Sequence, residues 1–118
     1  MDEEQLKVKT KQFAKQVIGL CRSLPETRDG RLIGNQLFRS GTSIGANYRA
    51  ACRARSKADF ISKLGIALEE ADESLYWLEI LEETQVVQPT ITAPLKREAA
   101  SLVAILVASL NTSKQNPK

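Results

Sequence analysis

The chain has 118 residues, 42% of them hydrophobic and 26% charged, which is typical of one globular domain and argues against a disordered segment. The net charge of +3 is too small to indicate nucleic-acid binding by itself. Histidine is absent, and the two cysteines, Cys21 and Cys52, supply neither the four ligands of a zinc site nor a base for a thiol enzyme. We therefore expect no metal and no cofactor.

Nothing in the sequence indicates export or a membrane. The N-terminal run MDEEQLKVKTK is charged and lacks the apolar segment of a signal peptide. No uncharged apolar run reaches the roughly 18–20 residues that a membrane span needs, the nearest being residues 100–110. These features predict a soluble, cytoplasmic protein with no membrane partner.

Two helical patterns fill the first half of the chain. A first helix is predicted from about 4 to 24, because its apolar residues fall three, four or seven apart. Pro25 and a polar run end this helix, and Gly30 is the expected turn residue. A second helix is predicted from about 31 to 55. Its core face consists of Ile33, Leu37, Ile44, Tyr48 and Ala51.

Two further helices fill the second half. The third is predicted over about 57–84, with Ser56 as its N-cap. Its core stripe consists of Phe60, Leu64, Ala67, Leu68, Ala71, Leu75 and Leu78. The fourth is predicted over about 93–111, with Thr92 as its cap and Pro94 in the first turn. Four helices joined by short loops predict an all-α fold, an up-down-up-down antiparallel four-helix bundle, in one domain covering residues 1–118.

Charge is segregated along the chain. Residues 30–58 contain six Arg or Lys and no acid, whereas residues 59–83 contain eight acids and one lysine. Four arginines of the second helix fall within an arc of roughly 80° opposite its core face. They are Arg31, Arg39, Arg49 and Arg53.

This basic face predicts contacts with nucleic-acid phosphates. The alternatives are a solvated face, or salt bridges to the acids of the third helix in the same subunit or a neighbouring one. The interleaved aromatic residues of a single-strand binder are missing, because only Tyr48 is close and it lies on the core face.

Small residues form a stripe beside the core face of the second helix: Gly34, Gly41, Gly45 and Cys52. A glycine in a helix interior costs about 1 kcal/mol relative to alanine. The stripe therefore predicts a second helix very close by, within the subunit or across an interface.

Polar residues follow the other edge of the core face: Gln36, Ser40, Ser43 and Asn47. We expect them to form hydrogen bonds between helices at the edge of the bundle. A nucleophilic serine would need a base, and none is within reach, which predicts a protein that is not an enzyme and has no small-molecule substrate. The acidic run of the third helix, from Glu69 to Glu73, is expected to be solvated rather than to hold a metal.

The third helix carries a second apolar face, on the side away from its core stripe. It consists of Ile66, Trp77, Ile80 and Leu81. In a monomer these residues would leave a wide apolar patch, and such patches usually mark an interface. The sequence therefore predicts a homo-oligomer. The alternative is that Trp77 folds back over the edge of the bundle.

The second and third helices resemble one known family. The pattern Q-L-x-R-S-x-x-S-I-x-x-N matches at Gln36, Leu37, Arg39, Ser40, Ser43, Ile44 and Asn47, and Gly41 and Gly45 lie within it. This block, followed by DFISKLGIALEEADESLYWLEIL, resembles the small four-helix bundles named for reading frames within intervening sequences of bacterial 23S ribosomal RNA.

The resemblance implies a four-helix bundle, a homo-oligomer that is commonly a ring of five, and no known enzymatic activity. A related branch comprises accessory proteins of diversity-generating retroelements, which are basic pentamers that bind nucleic acid and associate with a reverse transcriptase. After Asn47 the chain departs from the commonest family pattern, since Arg49 stands where an acid often does.

Together these features predict a small, non-enzymatic, homo-oligomeric bundle that binds RNA or DNA through the basic face of its second helix. The alternative is a protein-interaction scaffold without a nucleic-acid role, which docks a partner such as a reverse transcriptase.

Overall fold

A computed structural model describes residues 1–116 and shows four α-helices. They are α1 (Glu3–Ser23), α2 (Arg28–Cys52), α3 (Lys57–Glu83) and α4 (Pro89–Gln115). The connections are short, so each helix packs antiparallel to the one before it in a body of 49 × 20 × 20 Å. The predicted all-α, up-down-up-down bundle is confirmed. The last two residues of the predicted domain lie outside the described residues.

Three of the four helices, α1, α2 and α3, begin with a side-chain cap. At α1 the Asp2 carboxylate accepts from the Gln5 backbone N–H at 2.8 Å, and the Gln5 side chain accepts from the Asp2 N–H at 2.9 Å. At α3 the Ser56 hydroxyl accepts from the Asp59 N–H at 3.0 Å, which confirms the predicted N-cap. These bonds satisfy donors that a helix start otherwise leaves unpaired.

The second helix starts earlier than predicted, at Arg28 rather than about residue 31. Thr27 caps it by accepting from the Gly30 N–H at 3.1 Å, so Gly30 lies inside the first turn and is not the turn residue. A Cβ at Gly30 would lie 2.5 Å from the Pro25 carbonyl oxygen, which explains the need for glycine. The helix also ends earlier, at Cys52 rather than about residue 55.

The start of α4 was predicted wrongly. It begins at Pro89 rather than about residue 93, with Gln88 as its cap residue, and it continues to Gln115 rather than 111. Thr92 is therefore not a cap but a buried residue inside the helix, and Pro94 lies beyond the first turn. Pro89 fits the first helical position, because proline has no N–H to leave unpaired there.

A tight turn joins α3 to α4. Gln85 adopts a left-handed conformation with a φ of 64°. The Val86 N–H donates to the Leu81 carbonyl at 3.0 Å, and the Gln85 N–H donates to the Glu82 carbonyl at 3.1 Å. This pair of bonds is the Schellman arrangement that closes many helices, here with glutamine in the place that glycine usually takes.

The core runs the length of the bundle and is aliphatic apart from Phe13 and Tyr48. Its largest fully buried apolar side chains are Phe13, Val17, Leu37, Ile44, Leu64, Leu78, Leu81, Leu102 and Leu106. Leu81 was predicted at an oligomer interface, and that assignment is wrong. It lies in the core because α3 packs against both α2 and α4, which buries a wider arc of α3 than one stripe.

The glycine stripe of α2 packs against α1 of the same chain. A Cβ at Gly41 would lie 2.8 Å from Val17 Cγ2, and one at Gly45 would lie 3.0 Å from Thr10 Oγ1. Thr10 is fully buried, and its hydroxyl donates to the Leu6 carbonyl at 2.9 Å. The close helix that the glycines predict is therefore α1.

Replacing Gly41 by alanine is expected to lower the free energy of unfolding by about 1–3 kcal/mol, because Val17 branches at Cβ and has little freedom to move aside. The matched control is Gly19→Ala on α1, where nothing lies within 4 Å of the added Cβ. That variant should gain up to about 1 kcal/mol. Urea unfolding of both variants measures the difference, and an equal gain in both would contradict the close packing.

Glu82 links α3 to α4 and should make stability depend on pH. Its carboxylate accepts from the Thr92 hydroxyl at 2.8 Å and from Lys96 at 3.0 Å, and these two bonds lower the Glu82 pKa. Because the folded-state pKa lies below the unfolded one, the stabilisation is present above the unfolded pKa and is lost as pH falls through the folded pKa.

Glu82→Gln should therefore lower Tm at neutral pH, with a deficit that shrinks on acidification to about pH 3. Thermal unfolding across this range measures the deficit. Glu83→Gln is the control, since Glu83 is exposed and forms no ion pair within residues 1–116. A Glu82→Gln deficit that stays constant with pH would count against the link.

Candidate functional site

The four arginines of the predicted basic face are all exposed, but they are not equivalent. Arg39 points to α3, where its guanidinium donates to Glu70 at 3.0 Å and also to Glu73. These two carboxylates raise the pKa of Arg39, with the hydrogen bond to Glu73 as the larger cause. Arg39 thus forms the salt bridge to the third helix that was the alternative to a phosphate contact.

Trp77 contacts Glu73, the same acid that Arg39 contacts. Its indole N–H donates to the Glu73 carboxylate at 3.1 Å, and its ring meets Tyr76 edge-on at 5.0 Å between centroids. Trp77 is half-buried and packs against the core, so it lies along the edge of the bundle instead of projecting from it. Arg39 and Trp77 therefore both donate to the same carboxylate oxygen of Glu73.

The other three arginines are not neutralised by an acid among the described residues. Arg31, Arg49 and Arg53 form no ion pair within residues 1–116. Arg31 and Arg49 lie on the α1 side of α2, where they line two grooves together with cations of α1. Arg53 caps the end of α2, one turn beyond Arg49.

We call this surface the α1–α2 seam. Its cations are Lys7, Lys11, Arg22, Arg31 and Arg49. The sequence prediction missed the α1 members, because it treated the second helix by itself. The signal was present in the chain, since four of the first fifteen residues are lysines.

The first groove of the seam has a volume of about 190 Å³ and lies where Gly45 faces Thr10. Three cations line it, and no acid does. Lys7 is paired with Glu3 at 3.2 Å and Glu4 at 3.3 Å, and these bonds raise its pKa, whereas Lys11 and Arg49 form no ion pair within the described residues. The groove therefore offers two unneutralised cations to an anion.

The second groove, of about 290 Å³, lies nearer the α1–α2 turn and is lined by Arg22, Arg31 and Phe38 among others. The sequence prediction found no aromatic residue on the basic face, and that was wrong. Phe38 is 44% exposed there. It follows the core residue Leu37 by about 100° on the helix, which places it between the glycine stripe and the arginines.

Of the four polar residues along the edge of the α2 core face, Ser40 is the one that packs between helices. Ser40 is fully buried, with its hydroxyl 3.0 Å from that of Ser74 on α3. Ser43 and Asn47 instead donate to carbonyls of their own helix, at 2.6 Å and 2.9 Å. The predicted bonds between helices therefore form at Ser40 and not at Ser43 or Asn47. Gln36 is exposed, and its side chain forms no hydrogen bond within residues 1–116.

Both thiols are half-buried. Cys21 donates to the Gly34 carbonyl at 3.5 Å, and burial raises the pKa of the Cys21 and Cys52 thiols. Burial raises the pKa of the Tyr48 phenol as well. A raised pKa keeps these groups protonated at neutral pH, which makes the thiols poor nucleophiles.

The acidic run of α3 does not gather around a point. Among residues 1–116 no three potential ligands converge as a metal site requires. Glu70 and Glu73 are occupied by Arg39, and the neighbouring Glu69 and Asp72 are exposed. Over the same residues, no helix has an apolar stretch of the length that crossing a bilayer demands.

The outer face of α3 keeps most of its predicted apolar residues. Ile66 is 42% exposed, and Ile80 is half-buried. Tyr76, which the sequence prediction omitted, is 52% exposed on the same face, whereas Leu81 is buried in the core. The apolar face of α3 therefore consists of Ile66, Tyr76, Trp77 and Ile80.

Comparison with known proteins places this architecture in a family. No curated protein matches the chain. A crystal structure of a protein with unknown function from the S23 ribosomal protein family of Bacteroides thetaiotaomicron VPI-5482 is 36% identical, with a TM-score of 0.87, and the match covers 94% of this chain and 99% of that one. A family model matches residues 3–108, and the chain accordingly belongs to the 23S rRNA-intervening sequence protein family.

Proposed function

We propose that the protein is a non-enzymatic, homo-oligomeric helical bundle that binds nucleic acid through the α1–α2 seam. The observation that carries this proposal is the placement of Lys11, Arg22, Arg31 and Arg49 along one seam, with no ion-pair partner among residues 1–116, while most acids lie on α3. Unpaired cations from two helices suit a phosphate backbone, whose contacts dominate the affinity of non-specific binding.

The seam replaces the single helix face as the proposed contact surface. Arg39 is not part of the proposed contact surface. To contact a phosphate, its guanidinium would have to break its charge-assisted hydrogen bonds to Glu70 and Glu73. Phosphate contacts fix register without reading sequence, so binding through this seam should be largely independent of sequence.

A second candidate function is a protein-interaction scaffold without a nucleic-acid role. The specific observation in its favour is the apolar face of α3, where Ile66 and Tyr76 are about half exposed. Such a face suits a protein partner, for example a reverse transcriptase of the kind bound by the related accessory proteins, as well as a second copy of this chain.

The seam is tested by a triple charge reversal, Lys11→Glu with Arg31→Glu and Arg49→Glu. Each lost phosphate contact should reduce the slope of log K against log salt by about 0.7–0.9, so the triple variant should lose about two units of slope and at least tenfold in affinity near 50 mM salt. Fluorescence anisotropy with labelled RNA and DNA oligonucleotides measures both quantities.

The matched control reverses three cations on the other helices, Lys57→Glu with Arg97→Glu and Lys114→Glu, which changes the net charge by the same amount. This control should keep nearly all of the salt slope. Equal losses in the two variants would show that net charge alone matters, and a wild-type protein that binds no oligonucleotide at low salt would overturn nucleic-acid binding altogether.

The oligomer is tested by placing charge on the apolar face of α3. The wild type should have a light-scattering mass that is a multiple of the 13.0 kDa chain, five-fold if the family resemblance extends to subunit number. Ile66→Glu with Tyr76→Glu should shift the mass toward one chain, because burying two carboxylates at an interface is unfavourable. Leu32→Glu, at another exposed position, is the control and should leave the mass unchanged. A monomeric wild type would contradict the proposed oligomer.

A further inference from the structure

We propose that the groove around Phe38 binds an unpaired nucleobase, so that the preferred ligand of the α1–α2 seam is single-stranded nucleic acid. This inference rests on the proposed function and narrows it to one class of ligand. It starts from the exposed aromatic ring and then from the groups that surround it.

Phe38 lies in a groove that is large enough for a base. The groove has a volume of about 290 Å³ and apolar walls formed by Leu24, Pro25 and Phe38. Phe38 is 44% exposed, although a phenylalanine is usually well buried in a folded protein. A ring left open at a groove offers the flat π-surface on which a base stacks.

The polar groups of the groove suit the rest of a nucleotide. Asn35 lines the groove, and its side-chain amide forms no hydrogen bond within residues 1–116. The amide can therefore offer both donors and an acceptor to the edge of a base. Arg22 and Arg31 line the same groove, are exposed and form no ion pair within those residues. Glu26 is the one acid in the lining, so the two cations outweigh it.

The position of the groove on the seam fits a continuous strand. Phe38 precedes Arg49 by 11 residues of α2, which corresponds to about 16 Å along the helix axis. The groove at Phe38 and the groove at Arg49 both lie between α1 and α2. A strand with a base at Phe38 can therefore follow the seam and place phosphates at Lys11 and Arg49.

Pairing state decides between single-stranded and duplex ligands. A base inside a duplex is stacked and paired, and taking it out costs a few kcal/mol. A base of a single strand is free to stack on Phe38, and stacking on an aromatic side chain strengthens binding whatever the base is. The groove should therefore favour the single strand over a duplex of the same sequence.

The experiment compares Phe38→Leu, which keeps an apolar side chain, with Phe38→Tyr, which keeps the ring. The probes are a short labelled RNA strand, the same strand carrying abasic sites, and its duplex, all measured by anisotropy at one salt concentration. Phe38→Leu should weaken single-strand binding about tenfold. Phe38→Tyr should stay near the wild type, and neither change should affect duplex binding. The abasic strand should bind the wild type as weakly as the intact strand binds Phe38→Leu.

The outcomes separate this inference from the proposed function. If Phe38→Leu binds the single strand like the wild type, or weakens single strand and duplex equally, the nucleobase site is overturned while salt-dependent binding at the seam stands. If the wild type binds none of the probes, the nucleic-acid function fails and the nucleobase site fails with it. Thermal unfolding of Phe38→Leu checks that the bundle is intact.

Discussion

Glycines on α2 bring α1 so close that a Cβ at Gly41 would lie 2.8 Å from Val17. The shape and charge of the α1–α2 seam depend on this close packing of the two helices. Gly34 and Gly45 are packed as closely, with an added Cβ 2.8 Å from Leu24 and 3.0 Å from Thr10, and each lines one of the two grooves between the helices. The same approach places the lysines of α1 beside the arginines of α2. The helical cost of each glycine, about 1 kcal/mol, is offset by the close packing that it allows.

The ion pairs of Arg39 divide the basic face of α2 into two parts. Because the Arg39 side chain is half exposed, solvent screens its ion pairs with Glu70 and Glu73, and these pairs contribute little to stability. Its guanidinium neutralises two carboxylates at the edge nearest α2. The α1–α2 seam, on the other side of α2, carries five cations; of the acids beside it, Glu3 and Glu4 pair with Lys7 and Glu26 lines the groove at Phe38. The positive potential therefore concentrates on the α1–α2 side.

Helical periodicity was enough to predict four helices, their order and the Ser56 cap, since each depends on residues within one or two turns. A helical wheel drawn for one helix could not show which of its sides a neighbouring helix covers. Leu81 was assigned to an interface although α4 and α2 together bury it, and Arg39 was grouped with arginines that no neighbour reaches. The prediction missed Phe38, which lies on the helical wheel between the glycine stripe and the arginines, because it considered only the charged residues on that side. The start of α4 was predicted wrongly because two prolines, Pro89 and Pro94, are each compatible with the first turn of a helix.

The seam and the apolar face of α3 are separate surfaces, because α1 contacts α2 and α4 but not α3. An oligomer assembled through α3 would therefore leave each seam open to solvent. One seam carries few unneutralised cations, so a single subunit should hold a strand weakly and release it readily in salt. A strand that spans two seams meets the second at a high effective concentration, which raises the overall affinity by about 10²–10⁴ without any new contact. The proposed assembly through α3 and the proposed binding along α1 and α2 are thus compatible in one molecule, and assembly would supply the affinity that a single seam lacks.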